Sequence, residues 1–314
     1  MRYQGIVPLR PFPVNRHLTK QDDAYRLEQR HRMDELTPCA GLMVIRLNSS
    51  YLELVDKYFD WKGYLTAWTF VMCLFTFFAG GMFIFSSFQF FMEGRSDVYF
   101  GLVVGVVLFS MGAVAFVLGR HDWIHYTHFP IRFNRKTRMV HVFRKDGSVL
   151  STSWDGLFFT LDSDANFWEP RGHVLDPDGI TVRETFALGV SSINNKEGLR
   201  KIHAHWEFCR RYMEDGAEAV APYVKQVLPI DGRRESFRVG YEVLMSHYRD
   251  TESVLGFVMY VIMWPVLALS SLARWVAMRT SKVPRWPAEI EAMNEVSTDD
   301  SYCIDARINP PGLR

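Results

Sequence analysis

Two apolar runs dominate the chain, Tyr64 to Met92 and Val98 to Leu118, neither with a charged residue, separated by Glu93-Gly94-Arg95-Ser96-Asp97. A helix needs about 20 residues to cross the roughly 30 Å hydrocarbon layer, so each run is long enough to span it. A connection this short joins antiparallel neighbours. The pattern predicts a transmembrane helical hairpin over residues 63–120, with both ends emerging on one face. A third uncharged run, Ser253 to Ala273, is interrupted by Pro265. Arg233, Arg234, Arg238 and Arg249 precede it, and Arg274, Arg279, Lys282 and Arg285 follow it. Because cytoplasmic flanks carry the excess of Lys and Arg, both flanks are drawn to one side. Two arrangements stay open over 253–273: a crossing helix and, slightly preferred, a proline-kinked segment embedded without crossing.

Outside these runs the patterns are shorter. Residues 1–62 form an N-terminal region that starts irregularly, with Pro8, Pro11 and Pro13. Thr19 to Leu36 alternates acidic and basic residues at helical spacings, which predicts a solvated helix. Leu42 to Leu47 is a strand-like run. Ser50 and Glu53 have the spacing of a capping box, predicting a helix whose Val55, Tyr58, Phe59 and Trp61 side lies in the headgroup layer and leads into the first span.

Residues 121–216 change period. Strands are predicted at Ile131–Phe133, Met139–Phe143, Ser148–Trp154, Leu157–Leu161, Phe167–Leu175 and Ile180–Leu188, with Asp146-Gly147 and Asp176-Pro177-Asp178-Gly179 as turns. A helix from Asn195 or Lys196 to about Met213 follows, with Leu199, Ile202, Trp206, Cys209 and Met213 on one face and Gly216 as its stop. Residues 217–252 read as a connector ending in a helix from Glu235 to Tyr248. The tail, 274–314, has a short helical piece at Ala288–Met293 and is otherwise irregular. The fold class is a membrane α-helical hairpin plus an α+β cytoplasmic domain, an antiparallel barrel capped by a C-terminal helix.

The order Ile131-Arg132-Phe133-Asn134, basic turn, strand, Asp146-Gly147, then Ser153-Trp154-Asp155 resembles bacterial pleckstrin-homology-like domains, which often follow a transmembrane hairpin. More broadly, Phe133-Asn134-Arg135-Lys136, Trp154-Asp155, Trp206-Glu207-Phe208 with Arg210-Arg211-Tyr212-Met213, and Trp286-Pro287-Ala288-Glu289-Ile290-Glu291 are similar to a family of uncharacterised proteobacterial membrane proteins. Its members carry a domain of unknown function and tend to lie near type VI secretion genes. The first resemblance implies that the basic turn grips anionic headgroups, with Arg132, Arg135, Lys136, Arg138, Arg144 and Lys145 as the candidate lipid or partner surface. The second implies a place and a context, with a secretion component or effector as partner, and no chemistry.

Net charge is +1, so nothing pulls the chain toward nucleic acid. The basic residues flanking the hairpin outnumber Arg95 in its turn, which places both flanks in the cytoplasm and the turn in the periplasm of a bacterial inner membrane. Cys39, Cys73, Cys209 and Cys303 stand far apart, without metal-ligand spacing, and suit a reducing compartment. His121, His125 and His128 interleave with Trp123 and Tyr126 as an interfacial belt does. Asp162, Asp164, Asp176 and Asp178 read as turn residues, and His203 and His205 point to different sides of their helix. No nucleotide, hydrolase or zinc-protease motif occurs, so the chain is expected to be non-enzymatic and without a cofactor. Gly101, Gly105, Gly112 and Gly119 fall on one face of the second span and allow close helix packing, within the hairpin, with Gly80 and Gly81 level with Ser110 to Gly112, or against a second copy. The expected role is an adaptor or accessory protein displaying a binding domain. The alternative is an immunity or regulatory protein acting through its transmembrane helices.

Overall fold

A computed structural model describes residues 12–164, 167–249 and 254–314. Along the chain, β1 (Arg16–His17), α1 (Lys20–Ala24), β2 (Arg26–Leu27), β3 (Val44–Leu47) and β4 (Tyr51–Leu54) precede two long helices, α2 (Tyr64–Met92) and α3 (Val98–Trp123). Then come β5 (Ile131–Asn134), β6 (Met139–Phe143), β7 (Val149–Ser153), β8 (Leu157–Asp164), β9 (Phe167–Leu175), β10 (Thr181–Ala187) and β11 (Ser192–Ile193). The chain ends through α4 (Lys196–Glu214), α5 (Phe237–Arg249), α6 (Val254–Thr280) and α7 (Ala288–Met293). It divides into two units: Met1–Asp60 with Tyr126–Val239 and Val283–Arg314, and Trp61–His125 with Gly240–Lys282.

The first unit holds two antiparallel sheets. One runs β3-β4-β5-β6-β7, and the other runs β1-β10-β9-β8-β2, with β11 also on β9. Period-two alternation sends Leu52, Leu54, Ile131, Phe133, Val140 and Val142 into a common core with Leu157, Phe159, Leu161 and Phe186 of the other sheet. Helix α4 closes that core. Trp206 stacks on Trp154 at 5.7 Å and meets Phe159 at 4.7 Å between ring centres. Asn195 caps the helix by accepting from the Gly198 N–H at 2.6 Å, and Gly216, at φ 109°, ends it.

The strands and α4 fall where the alternation and turn signals place them, but the described strands close no barrel. The chain changes sheets at Trp154-Asp155-Gly156. The edges of the second sheet are covered by the two-residue strands β1 on β10 and β2 on β8 instead of by the first sheet. Two N-terminal expectations are corrected. The solvated helix expected over Thr19–Leu36 is cut short: α1, capped by Thr19, stops at Ala24 and the chain turns into β2. Ser50 and Glu53 start no helix: Tyr51–Leu54 is a strand paired with β5, and Val55 and Phe59 are buried rather than lying in a headgroup layer. The tail runs over the outer face of the first sheet and then bridges its β3 edge, where Ile304 pairs with Leu47. The irregular stretch expected over residues 1–18 falls mostly on 1–11, outside the described residues, as does Ser253.

In the second unit α2, α3 and α6 are each long and apolar enough to cross a membrane. Helix α6 continues through Pro265 to Thr280, beyond the expected end at Ala273.

Candidate functional site

The six basic residues expected to make one surface are separated by the fold. Arg132 lies within β5 and not in the turn, directly opposite Glu53 of β4. Its Nε and Nη2 donate to Glu53 Oε2 at 2.9 and 2.7 Å, and Nη1 reaches Glu291 at 3.2 Å. Its guanidinium sits over the rings of Tyr51 and Trp286, 4.3 and 4.8 Å from their centres. At 3% exposure it cannot meet a headgroup. Opposite charges directly across a strand pair attract, and the tail then covers the pair. Arg138 pairs with Asp155 and with Glu214 at 2.8 Å, and Arg144 with Glu184. Arg135 lies against Gly216 with its Nε buried, and burial lowers the pKa of the half-buried Lys145 ammonium. Of the six, only Lys136 is exposed.

What the sheet assembles instead is a polar row on its outer face: Glu53, Arg132, His141 and Ser151, each the register partner of the next. His141 Nδ1 meets Ser151 Oγ at 2.8 Å, and among the described residues its Nε2 has no hydrogen-bond partner. Burial first, and then the Arg132 charge, hold its pKa down to about 4. The tail roofs this row. Trp286 Nε1 donates to Glu53 Oε1 at 3.0 Å, Asn134 Nδ2 to the Met293 carbonyl at 3.0 Å, Ser50 Oγ to the Glu295 carbonyl at 2.9 Å, and the Ser49 N–H to Asp300 at 2.8 Å. The row clamps the tail. Sequence reading misses it because Glu53 also fits a helix cap, although Tyr51-Leu52-Glu53-Leu54 carries the alternation of a half-buried strand.

In the second unit the four glycines of α3 all face α2. A Cβ at Gly105 would meet Ile84 Cγ1 at 2.6 Å and the Gly80 carbonyl at 3.2 Å; at Gly112 and Gly119 it would meet the Thr76 and Thr69 hydroxyls, each at 2.6 Å; at Gly101 it would meet Ser87. The face is therefore spent inside the hairpin. Its level is corrected by about one turn at Gly80, which lies against Gly105 and Phe109, and Gly81 faces open space.

Charged groups gather at the foot of the hairpin. Asp122, buried near the end of α3, accepts through Oδ2 from the Gly63 and Thr66 N–H groups at 3.0 and 3.1 Å and from the Thr66 hydroxyl at 2.6 Å. It thus caps α2 from the other helix. Lys62 Nζ donates to the Asp122 carbonyl at 2.7 Å, and the buried Arg274 of α6 donates to the Lys62 carbonyl at 3.2 Å. Sequence reading counts Lys62 and Arg274 as flanking charge; their burial is not legible there because every partner is remote in sequence.

The other candidates resolve as structural groups. Helix α3 ends at Trp123, so His125 and His128 lie beyond it, and the side chain of His121 is outside those described. Asp162 pairs with Arg171, while Asp178 accepts from Ile180 and Thr181 in its turn. His205 is buried in the core and His203 half-buried. Among the described residues no cluster of His, Cys, Asp and Glu is placed to hold a metal.

A family model described as a family of unknown function (DUF6708) matches residues 108–298, well over half of the chain. No curated protein and no solved structure matches.

Proposed function

The chain belongs to that family of unknown function, and on this premise we propose that it is a non-catalytic, multi-pass protein of the bacterial inner membrane that tethers a cytoplasmic binding unit. The observation that carries the reading is one strand pair. Leu54 and Ile131 are register partners in one sheet, and the hairpin is everything between them. Hydrogen-bonded neighbours lie on one side of a membrane, so α2 and α3 together make an even number of crossings.

Helix α6 is constrained in the same way. On either side of it the chain returns to the first unit: the Leu228 N–H bonds the Val44 carbonyl at 2.7 Å, and the Ile304 N–H bonds the Leu47 carbonyl at 2.8 Å. A single crossing between them would separate these partners. Helix α5, with 13 residues, is about 20 Å long and too short to cross back. The reading that fits is α6 embedded without crossing.

The two sheets and α4 support a pleckstrin-homology-like organisation: a meander β4–β7, a second meander β8–β10, then a capping helix, with the hairpin inserted between the first two strands. The partner in this reading is a protein component of a secretion apparatus or one of its effectors. Confinement to two dimensions raises the effective concentration of the displayed unit toward it. The alternative, action through the transmembrane helices, rests on the α3 glycine face, which α2 occupies.

Two experiments test the proposal. Alkaline phosphatase inserted at Gly94 should be active and a fluorescent protein fused after Arg314 should glow; the reverse pattern sinks the topology. Exchanging Leu65–Leu118 for an unrelated transmembrane hairpin should leave association with the partner intact, and its loss would favour the helix-based alternative.

A further inference from the structure

The second unit contains a cleft that hairpin packing does not fill. Met263 and Leu267 of α6 share an apolar cluster with Tyr64 and with Leu244 and Met245 of α5. Further along, Leu272 and Val276 face Thr69 and Phe70 of α2, and Phe116 and Trp123 of α3, across a cleft of about 400 Å³. From Met263 to Thr280 the helix extends about 26 Å, yet the α2 residues beside it lie between Tyr64 and Cys73, about 14 Å of helix. Helix α6 thus crosses the foot of the hairpin, and the cleft is the angle left between them.

Three observations identify what enters it. The lining is apolar, and its hydroxyls are already used: Thr69 donates to the Leu65 carbonyl and Thr66 to Asp122. Water in such a space lacks the two to four polar partners it needs. The rim side chains Phe70, Phe116 and Leu272 are exposed, on helices whose apolar faces address hydrocarbon. The foot is also cationic. Arg120, Arg279 and Lys282 are exposed and have no acidic partner among the described residues. They surround the end of α3, where Thr280 donates to the Trp123 carbonyl and the Lys282 N–H to the His125 carbonyl at 2.7 Å.

We propose that the cleft binds one acyl chain of an anionic phospholipid, whose phosphate is held by Arg120, Arg279 and Lys282. If a methylene takes about the 30 Å³ of a water in the liquid, the cleft seats about a dozen carbons. The lipid then wedges α6 against the hairpin and makes the packing of this unit depend on the anionic content of the membrane. The inference rests on the membrane-embedded reading given above.

The full chain, reconstituted in nanodiscs of phosphatidylcholine and phosphatidylglycerol with a trace of phosphatidylglycerol bearing a diazirine near the chain end, is irradiated and the adducts are mapped by peptide mass spectrometry. Label is expected to concentrate on the peptides carrying Phe70, Phe116 and Leu272. It should fall severalfold in Val276→Trp and Leu272→Trp, which fill the cleft, but not in Val107→Trp on the open face of α3. Arg279→Gln should lower labelling by the anionic probe about fivefold and leave a phosphatidylcholine probe unchanged. Label spread evenly over the lipid-facing residues, or unmoved by both cleft-filling variants, overturns the proposal. If one variant misfolds, the other and the Arg279 comparison still decide. Failure of the underlying reading shows itself separately, because a chain that is not membrane-embedded would be released by carbonate before reconstitution.

Discussion

Substituting one glycine in each helix of the hairpin measures how tightly α2 and α3 are packed. A Cβ at Gly105 would stand 3.2 Å from the Gly80 carbonyl and 2.6 Å from Ile84 Cγ1. The isoleucine can turn aside, but the backbone carbonyl cannot, so Gly105→Leu must move one helix away from the other. Overpacking of this kind costs about 1–3 kcal/mol, and the looser packing it leaves along the rest of the seam adds to that cost. Gly81 is the internal control: it follows Gly80 by one residue, yet nothing lies within 4 Å of its Cβ position. In full-length protein extracted in mild detergent, the midpoint of heat-induced aggregation should drop by several degrees for Gly105→Leu and Gly80→Leu and stay put for Gly81→Leu. Equal damage from Gly81→Leu would refute the assignment of facing residues. A Gly105→Leu protein of unchanged stability that lost a dimer on size-exclusion chromatography would show that the glycine face serves a second copy.

Two further outcomes concern the first unit. Arg132→Met leaves the Glu53 carboxylate buried without its cation, which costs about 3–5 kcal/mol; the double variant with Glu53→Gln should recover much of that loss in the same melting assay, and a double variant no better than the single would count against a paired role. The pH dependence follows from His141, whose pKa is held down to about 4 in the fold against about 6.5 unfolded. Because the folded form resists the proton, its contribution is complete above about pH 6.5 and is lost as pH falls toward 4. Going from pH 7 to pH 5 should cost about 2 kcal/mol for this residue alone, and His141→Gln should show a correspondingly shallower fall in melting midpoint.

How much of this was legible depended on whether a signal was local. The strands from Ile131 to Ala187 alternate and are punctuated by Asp146-Gly147 and Asp178-Gly179, with both glycines at positive φ, and α4 carries its cap, stripe and stop within two dozen residues. The charged stretch from Thr19 misled because the same opposite charges serve a helix or a tertiary network. Asp22 bonds Arg16, and Arg32 reaches Asp215, at the end of α4, while Arg211 of α4 donates to the Met33 and Leu36 carbonyls. Ser50 and Glu53 satisfied a four-residue helix signature and a four-residue strand pattern at once, and only the pairing with β5 decides between them. The tail read as irregular because each of its anchors lies more than 150 residues away or on a different element.

The pairing of β4 with β5 requires the two ends of the hairpin to meet at its foot. About 75 residues separate Leu54 from Ile131, and closing a loop of that length before any strand contact forms is entropically opposed. Once α2 and α3 pack, the bonds from Gly63 and Thr66 to Asp122 fix the two ends of the insertion beside each other. The free chain left to close is then about 16 residues, and the difference in closure entropy is about 1.4 kcal/mol. The packed hairpin, with Asp122 joining its ends, thus makes a remote strand pair a near-local one. On this account packing of α2 against α3 lowers the entropic cost of pairing β4 with β5, and the buried Asp122 carboxylate contributes by holding the two ends of the insertion together.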